Sequence, residues 1–342
     1  MWPFLLISGI CLCISLFVSG AHARVEAAAK SILVVVNQGD KNLSLVDPIT
    51  NRQITTISEG QTTVHGHEVA VSPDGRVAFV PIYGSTGVGK PGLDGREMLV
   101  INILDRKIIG KVDFGHGVRP HCAIYDSVSS LLYVTTELDN TITIIDPHTL
   151  KIVGAIPTTQ PESHMLAISH DGRRGYTANV GPGTVSVLDM AARKTIAVIP
   201  ISGNTQRISI SNDDRMVFTA DQTKPQLAVI DTSANQVKAW VPLPSLGYGT
   251  AATRDGRWLL VAIPDGKVAV VDLGTLKVAR TIDVPGEPQE IVMRPDGRVA
   301  YVSCERGEQV GQVAVIDLAQ WNVQALIDVG KDGDGLAWAG AQ

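Results

Sequence analysis

The stretch MLAISHDGRRGYTANVGPGTVSVLD, residues 165–189, contains three strand-like segments separated by turns. Met165–Ser169 is a short apolar run, and the turn His170-Asp-Gly-Arg173 leads into a second run that ends at Asn179. A third run, Val185–Asp189, ends on an acidic residue. Alternating apolar residues, β-branched side chains and turns of Asp, Gly and Pro are typical of antiparallel strands. The stretch therefore predicts a meander of short strands.

The same pattern recurs along most of the chain. Related turns end at Arg76, Arg173, Arg215, Arg257 and Arg298. The last four of these arginines are 42, 42 and 41 residues apart. A polar turn and a fourth strand follow each acidic strand end, as at Lys277–Ile282. Four short strands in each repeat of this length predict one blade of a β-propeller.

The two ends of the chain predict how the repeats close. Three strands stand at the start (Ile32–Val36, Leu43–Val46 and Gln53–Ile57), and a lone innermost strand, Leu336–Ala339, stands at the end. Pairing them in one blade closes the ring and removes an exposed sheet edge. Seven innermost strands are predicted, beginning near residues 67, 121, 164, 206, 248, 289 and 334. We therefore predict an all-β fold, a single seven-bladed β-propeller of four-stranded antiparallel blades over residues 31–342.

Two strands carry a family resemblance. Leu131-Leu-Tyr-Val-Thr-Thr136 and Gly175-Tyr-Thr-Ala-Asn179, each followed by a strand that ends in Asp, resemble the YVTN-repeat β-propeller family. The resemblance covers residues 31–339 and implies the propeller fold. It implies no single function, because such a scaffold carries many roles.

Composition argues against some classes of function. The chain is 44% hydrophobic and 18% charged, with 33 Gly and 18 Pro, which is typical of a compact, turn-rich protein rather than a disordered one. The net charge is −5, and no cluster of Lys and Arg stands out in the sequence. General nucleic-acid binders carry a basic face, so we expect no nucleic-acid partner. We also expect a monomer.

The N-terminal residues predict export. Phe4–Val18 is an apolar run followed by Ala21-His-Ala23, the pattern of a signal peptide (residues 1–23) cleaved after Ala23. A retained anchor is the alternative, although the run is short for a bilayer. A linker, residues 24–30, would then precede the propeller of a periplasmic or secreted protein with no membrane contact after cleavage. Its remaining cysteines, Cys122 and Cys304, fall on separate blades, which predicts two unpaired, buried thiols.

One end of the central channel collects the candidate functional residues. In an antiparallel meander alternate loops share an end, so the starts of the innermost strands ring one mouth of the channel. Seven polar residues occupy these starts: His67, His121, His164, Gln206, Tyr248, Gln289 and Asp334. The next position along includes Glu68, Arg207 and Glu290. We predict that this mouth binds a small molecule or a protein partner.

The segment 83–97 lies on the same face by the same alternation. It is about ten residues longer than its counterparts, and long loops are often functional lids. A tolerated surface insertion is the alternative, because loops lengthen at little cost in free energy.

Three interpretations of the mouth's chemistry remain open. The first is non-enzymatic binding, with no cofactor firmly implied. The second is a divalent metal held by His67, His121 and His164, with Glu68 or Glu137 as a fourth ligand, provided that the rings come close enough. The third is acid–base catalysis, in which a histidine moves a proton while an arginine holds an anion.

A further resemblance bears on the third interpretation. His67-Glu68, Arg119-Pro-His121 and Thr136-Glu137-Leu138 resemble motifs of propeller lactonases similar to 6-phosphogluconolactonase. The resemblance implies hydrolysis of a sugar lactone or ester. The residues that it implies are His67, Glu68, Arg119, His121, Glu137 and His164.

Overall fold

The structure is a computed structural model that describes residues 1, 31–60 and 62–340. Apart from Met1, the predicted signal peptide and linker lie outside the described residues. Seven antiparallel sheets account for 29 strands of the described chain, and the single helical element there is a 3₁₀ turn, Glu137–Asp139. No helix in the described part of the chain is long and apolar enough to cross a bilayer.

The sheets follow one another along the chain as seven blades. Blade 1 contains β1 (Ile32–Asn37), β2 (Asn42–Asp47), β3 (Arg52–Ser58) and the last strand, β29 (Gly333–Ala339). Blade 2 contains β4 (His65–Gly66), β5 (Ala70–Val71), β6 (Val77–Gly84), β7 (Asp94–Asn102) and β8 (Lys107–Asp113). Blade 3 contains β9 (Pro120–Asp126), β10 (Leu131–Thr136), β11 (Thr141–Asp146) and β12 (Lys151–Pro157). Blade 4 contains β13 (Ser163–Ile168), β14 (Arg174–Asn179), β15 (Thr184–Asp189) and β16 (Lys194–Pro200).

Three further blades complete the set. Blade 5 contains β17 (Ser209–Ile210), β18 (Met216–Ala220), β19 (Gln226–Asp231) and β20 (Gln236–Pro242). Blade 6 contains β21 (Thr250–Ala252), β22 (Trp258–Ile263), β23 (Lys267–Asp272) and β24 (Lys277–Asp283). Blade 7 contains β25 (Glu287–Met293), β26 (Val299–Glu305), β27 (Gln312–Asp317) and β28 (Asn322–Asp328).

The ring closes as the sequence predicts. The last strand, β29, pairs antiparallel with β1, with Leu33 opposite Trp338 and Val35 opposite Leu336. The innermost strands of neighbouring blades contact one another all the way round the ring. The seven-bladed all-β prediction is confirmed.

Burial explains why the blades pack. The two middle strands of each blade are buried almost throughout, whereas the outermost strand alternates exposed and partly buried residues. Tyr176, Phe218 and Tyr301 are among the largest fully buried side chains. Middle strands covered on both faces need apolar residues at nearly every position, and the sequence supplies them. The two unpaired, buried thiols, Cys122 and Cys304, are confirmed.

The recurrent turn has a structural role. At residues 253–257, the Thr253 hydroxyl and the Arg257 amide both donate to one Asp255 oxygen, at 2.6 and 3.0 Å. Gly256 takes a φ of +69°, which glycine adopts at little cost. These turns follow the innermost strands, so they lie at the end of the propeller opposite the starts of those strands.

Candidate functional site

The structure brings the three predicted histidines together. His67 lies between β4 and β5, His121 in β9 and His164 in β13, on consecutive blades. The ring centroids of His67 and His121 are 5.2 Å apart, and those of His121 and His164 are 3.6 Å apart. All three side chains are buried. We call them the histidine cluster.

Tyr83 completes the cluster, and sequence reasoning did not assign it to the site. Its ring centroid lies 4.7, 5.1 and 5.9 Å from those of His67, His121 and His164. The signal that could have found it is its position at the first residue of the long segment 83–97. His65 was also left out of the predicted site, yet its ring stacks on His67 at 4.9 Å.

Each imidazole of the cluster has a nitrogen without a hydrogen-bond partner. His67 Nε2, His121 Nδ1 and His164 Nδ1 are buried and unpartnered among the described residues. Burial holds the pKa values of His67 and His121 well below the usual range for histidine, and the neighbouring imidazoles and Arg207 lower them further. The two rings are therefore neutral at pH 7. A metal ion binds a neutral imidazole through a free ring nitrogen, and a hydrogen-bond donor of a ligand needs the same nitrogen as its acceptor.

The predicted Glu137 lies beside the cluster. Its carboxylate is buried at the start of the 3₁₀ turn, and Oε2 is 3.7 Å from His164 Nδ1. That separation is longer than a hydrogen bond. Glu137 therefore faces His164 without fixing its ring through a direct hydrogen bond.

Arg207 closes the channel beside the histidine cluster. From blade 5 its guanidinium reaches Glu68 on blade 2 and Asp334 on blade 1, and it lies 3.2 Å from Glu290 on blade 7. Tyr248 faces it, with 5.0 Å from the guanidinium carbon to the ring centroid. We call these residues the arginine plug. All of its members were predicted to lie at the mouth of the channel, but the sequence alone did not indicate that they pair with one another.

Charge is unevenly balanced in the plug. One guanidinium faces three carboxylates, and Arg207, Glu68 and Asp334 are all buried. Burial raises the pKa of Glu68 well above its usual range, and Glu290 and Asp334 add to the rise against the opposing effect of Arg207. Asp334 also faces the histidine cluster, because its Oδ2 is 3.8 Å from His67 Nδ1.

The long segment 83–97 is mainly an extension of a hairpin. Strands β6 and β7 remain paired as far as Gly84 and Asp94, so the true loop is residues 85–93. Arg119 fastens this loop to the mouth by donating to Asp94 at 2.5 Å and to the Lys90 carbonyl at 2.8 Å. The loop thus lies on the histidine face, as predicted, and Arg119 acts as its tether.

The remaining predicted residues lie near the mouth but apart from the histidine cluster. Gln206 and Gln289 are partly buried at the starts of the innermost segments of blades 5 and 7. Gln289 donates weakly to the Glu287 carbonyl at 3.4 Å. Neither glutamine takes part in the ring contacts that hold the histidine cluster together.

The proposed shared metal ion finds no ready-made ligand set. Within residues 31–60 and 62–340, no group of three or more His, Cys, Asp or Glu side chains is arranged to hold a metal ion. The His121 ring packs against those of His67 and His164. The described residues thus offer no preformed tris-histidine site.

A buried carboxyl behind the mouth predicts a pH dependence of stability. One Glu59 oxygen accepts the Gly66 amide at 3.1 Å, the other has no partner, and burial raises the pKa of this group from 4.5 to about 7. The folded state therefore keeps a proton that the unfolded state releases, so stability falls as pH rises from about 4.5 to 7, by roughly 2–3 kcal/mol. Glu59→Gln imitates the protonated acid, so the urea midpoint of this variant should change less with pH over that range. Glu308→Gln, at a fully exposed side chain, is the control and should keep the wild-type change of the urea midpoint with pH. If E59Q shows the same change with pH as wild type, Glu59 is not the group responsible.

Comparison with known proteins adds a partial match to one family. Residues 125–244 match the family model described as the cytochrome D1 heme domain. This segment runs from the innermost strand of blade 3 to the end of blade 5, and it includes His164 and Arg207 but not His67 or His121. Antigen Lp49 of Leptospira interrogans (serogroup Icterohaemorrhagiae serovar copenhageni, strain Fiocruz L1-130) is 25% identical over 232 residues, which are 62% of this chain. The chain covers 41% of the length of that relative.

Two solved structures share the architecture. The dihydro-heme d1 dehydrogenase NirN in complex with DHE aligns with a TM-score of 0.65 at 16% identity, over 92% of this chain and 76% of NirN. Hydrazine synthase of Kuenenia stuttgartiensis aligns with a TM-score of 0.55 at 19% identity, over 62% of this chain and 66% of the enzyme. At such identities the likeness shows the fold alone. The chain is thus a seven-bladed propeller whose residues 125–244 match the cytochrome D1 heme domain model and whose fold is shared by the two solved structures.

Proposed function

We propose that this chain binds a heme-type tetrapyrrole at the histidine mouth, where His67 would hold the iron. The observation that carries the proposal is the histidine cluster itself: three buried imidazoles, each with a ring nitrogen that has no partner in the described chain, of which burial keeps His67 and His121 neutral. The family match over blades 3 to 5 supports it, because that model is named for a heme domain. One imidazole is enough for axial ligation, so the three rings need not converge on one ion.

His67 fits the role of iron ligand better than its neighbours. Its unpartnered buried nitrogen is Nε2, whereas in His121 and His164 it is Nδ1. The Asp334 carboxylate lies on the Nδ1 side of His67 at 3.8 Å, which, like the distance from Glu137 to His164, is longer than a hydrogen bond. Histidines that bind metals commonly have a carboxylate near their second nitrogen. His121 and His164 would then line the pocket, where their free nitrogens can donate to or accept from a bound group.

A cationic side chain at the rim suits a carboxylate of a tetrapyrrole. Lys90 is exposed on the loop that Arg119 holds, whereas Arg119 itself is buried and already pairs with Asp94. Lysine is a usual partner of anionic ligand groups. When bound, the iron would supply redox chemistry and a coordination position. The protein's own residues would position the group and exclude water from it.

Hemin titration tests the proposal. The wild-type protein should bind hemin with a Soret shift typical of imidazole ligation, and His67→Ala should weaken binding at least tenfold and remove the shift. His148→Ala is the matched control, because His148 is exposed at the opposite end of the propeller. The proposal fails if wild-type protein gives no shift, or if H67A and H148A titrate alike.

The lactonase and partner-binding hypotheses stay predictions. None of the relatives described above is a lactonase, and Arg119 and His121 have the roles of tether and cluster member in this structure. Lactone turnover that His121→Ala abolishes, in protein that does not bind hemin, would favour hydrolysis instead.

A further inference from the structure

The end of the propeller opposite the histidine mouth carries a second concave site. A cavity of about 680 Å³ lies between blades 6 and 7, on the face that bears the recurrent turns. Four arginines and two tryptophans dominate its lining: Arg254, Arg257, Arg280, Arg298, Trp258 and Trp321. We call it the Arg–Trp cleft. Its volume lies within the range of small-molecule sites.

The aromatic rings form a platform flanked by guanidinium groups. Trp258 and Trp321 meet edge to face, with ring centroids 5.4 Å apart and an interplanar angle of 71°. The guanidinium carbon of Arg280 lies 5.8 Å from the Trp258 centroid and 5.2 Å from the Trp321 centroid. Arg257 lies 4.7 Å from the Trp258 centroid. Both tryptophans remain partly exposed, so their rings are available to a ligand.

Arginines outnumber carboxylates in the cleft by four to three. Asp255, Asp296 and Asp317 also line it, and Arg257 and Arg298 interact electrostatically with Asp255 and Asp296. In the described part of the chain, none of the four arginines has a carboxylate oxygen within 4.0 Å in any ion pair that we observe. Each acid has a partner of its own: Asp255 accepts the Arg257 amide, Asp296 pairs with Arg294 at 2.8 Å, and Asp317 accepts two backbone amides. The guanidinium groups therefore keep donors for a ligand, in a cleft with one more positive than negative charge.

This composition departs from the repeat. The positions of Arg254 and Trp258 are occupied by Asn212 and Met216 in the turn of blade 5. The corresponding cavity between blades 5 and 6 is about 370 Å³ and has no aromatic lining residue. Arg257 and Arg298 belong to the recurrent turn, and both tryptophans also pack against the core of blades 6 and 7. The departure from the repeat is therefore Arg254 and Trp258, which place a further guanidinium and a partly exposed aromatic ring in the cleft.

We propose that the Arg–Trp cleft binds a small, flat organic anion with two or more carboxylates. Guanidinium forks match carboxylates in a bidentate manner, while tryptophan and arginine planes stack on a flat ring. The proposal is independent of heme binding, because the cleft lies at the other end of the molecule.

Benzene-1,3,5-tricarboxylate is a suitable probe, read by calorimetry and by quenching of tryptophan fluorescence. Wild-type protein should bind it saturably, and Arg280→Gln or Arg254→Gln should weaken binding about tenfold. Arg215→Gln is the matched control, because Arg215 occupies the place of Arg257 in the turn of blade 5. Cyclohexane-1,3,5-tricarboxylate, with the same charges and no flat ring, should bind at least tenfold more weakly.

Three results would overturn the proposal. They are no saturable binding of the probe, equal weakening by R215Q and R280Q, and equal affinity for the two tricarboxylates. A polyanion such as heparin that binds more tightly than the probe, with the same sensitivity to R280Q, would assign the cleft to a polymer instead. Because hemin is itself a flat dianion, the Soret titration is repeated with R280Q, which should leave the shift unchanged.

Discussion

Replacing Arg207 with methionine is expected to lower the free energy of unfolding by about 3–5 kcal/mol at pH 7. The guanidinium contacts Glu68, Glu290 and Asp334, which come from three other blades and are largely removed from water. Without the guanidinium, the buried carboxylates lose the cation that all three of these ion pairs share. Breaking a buried ion pair from one side leaves an uncompensated charge, which is the costly case. Urea denaturation of the two proteins measures the difference.

The pH dependence of this loss identifies its cause. Burial raises the pKa of Glu68 and Arg207 opposes that rise, so without the guanidinium Glu68 keeps its proton in the folded state to a still higher pH. Because the folded-state pKa is raised above the unfolded one, stability is recovered as pH falls and is lost as pH rises. R207M should therefore be closer to wild type at pH 5 than at pH 7, and adding Glu68→Gln should restore part of the stability.

An exposed arginine provides the control for R207M. Arg96 pairs with Asp113 at 2.8 Å, but both side chains are about half exposed. Such a pair contributes about 1 kcal/mol or less, so Arg96→Met should have a small effect. If R207M unfolds at the same urea concentration as R96M, the plug does not hold the blades together.

Replacing Gly335 with alanine should have the second large effect, a loss of about 3 kcal/mol or more. A methyl group there would lie 2.5 Å from the His67 carbonyl oxygen and 2.7 Å from the Glu68 Cα. These are backbone atoms, so they cannot move aside as the end of a side chain could. The Gly335 amide also donates to that His67 carbonyl at 2.9 Å, which joins blade 1 to blade 2 where the ring closes.

Gly87 provides the matched control for Gly335. A Cβ at Gly87 would meet nothing within 4 Å, and its backbone does not occupy the left-handed region. Gly87→Ala should therefore change stability by no more than about 0.5 kcal/mol. Thermal unfolding of both variants measures the difference. Equal melting temperatures would show that blades 1 and 2 can separate at Gly335 without a loss of stability.

The fold could be predicted from sequence because its causes are local and repeated. Alternation within strands, the Asp-Gly-Arg turn and three strands at one end matched by one at the other all follow from neighbouring residues. The segment 83–97 is the exception within the fold. Its glycines predict a loop, but β6 and β7 stay paired to Gly84 and Asp94, and Arg119 holds the tip from another blade.

The sequence predicted which histidines lie at the candidate site, but not the contacts that they and their neighbours make. The repeat alignment places His67, His121 and His164 at one mouth, because equivalent positions of equivalent blades must lie at equivalent heights. The ring contacts, the role of Tyr83 and the pairing of Arg207 with Glu68, 139 positions away, depend on the width of the closed ring. The neutral state of His67 and His121 depends on their burial in the closed ring, which neighbouring residues in the sequence do not indicate. Sequence thus determined the blades and the face, and tertiary structure alone decided which charges and rings meet, since those contacts exist only when all seven blades close.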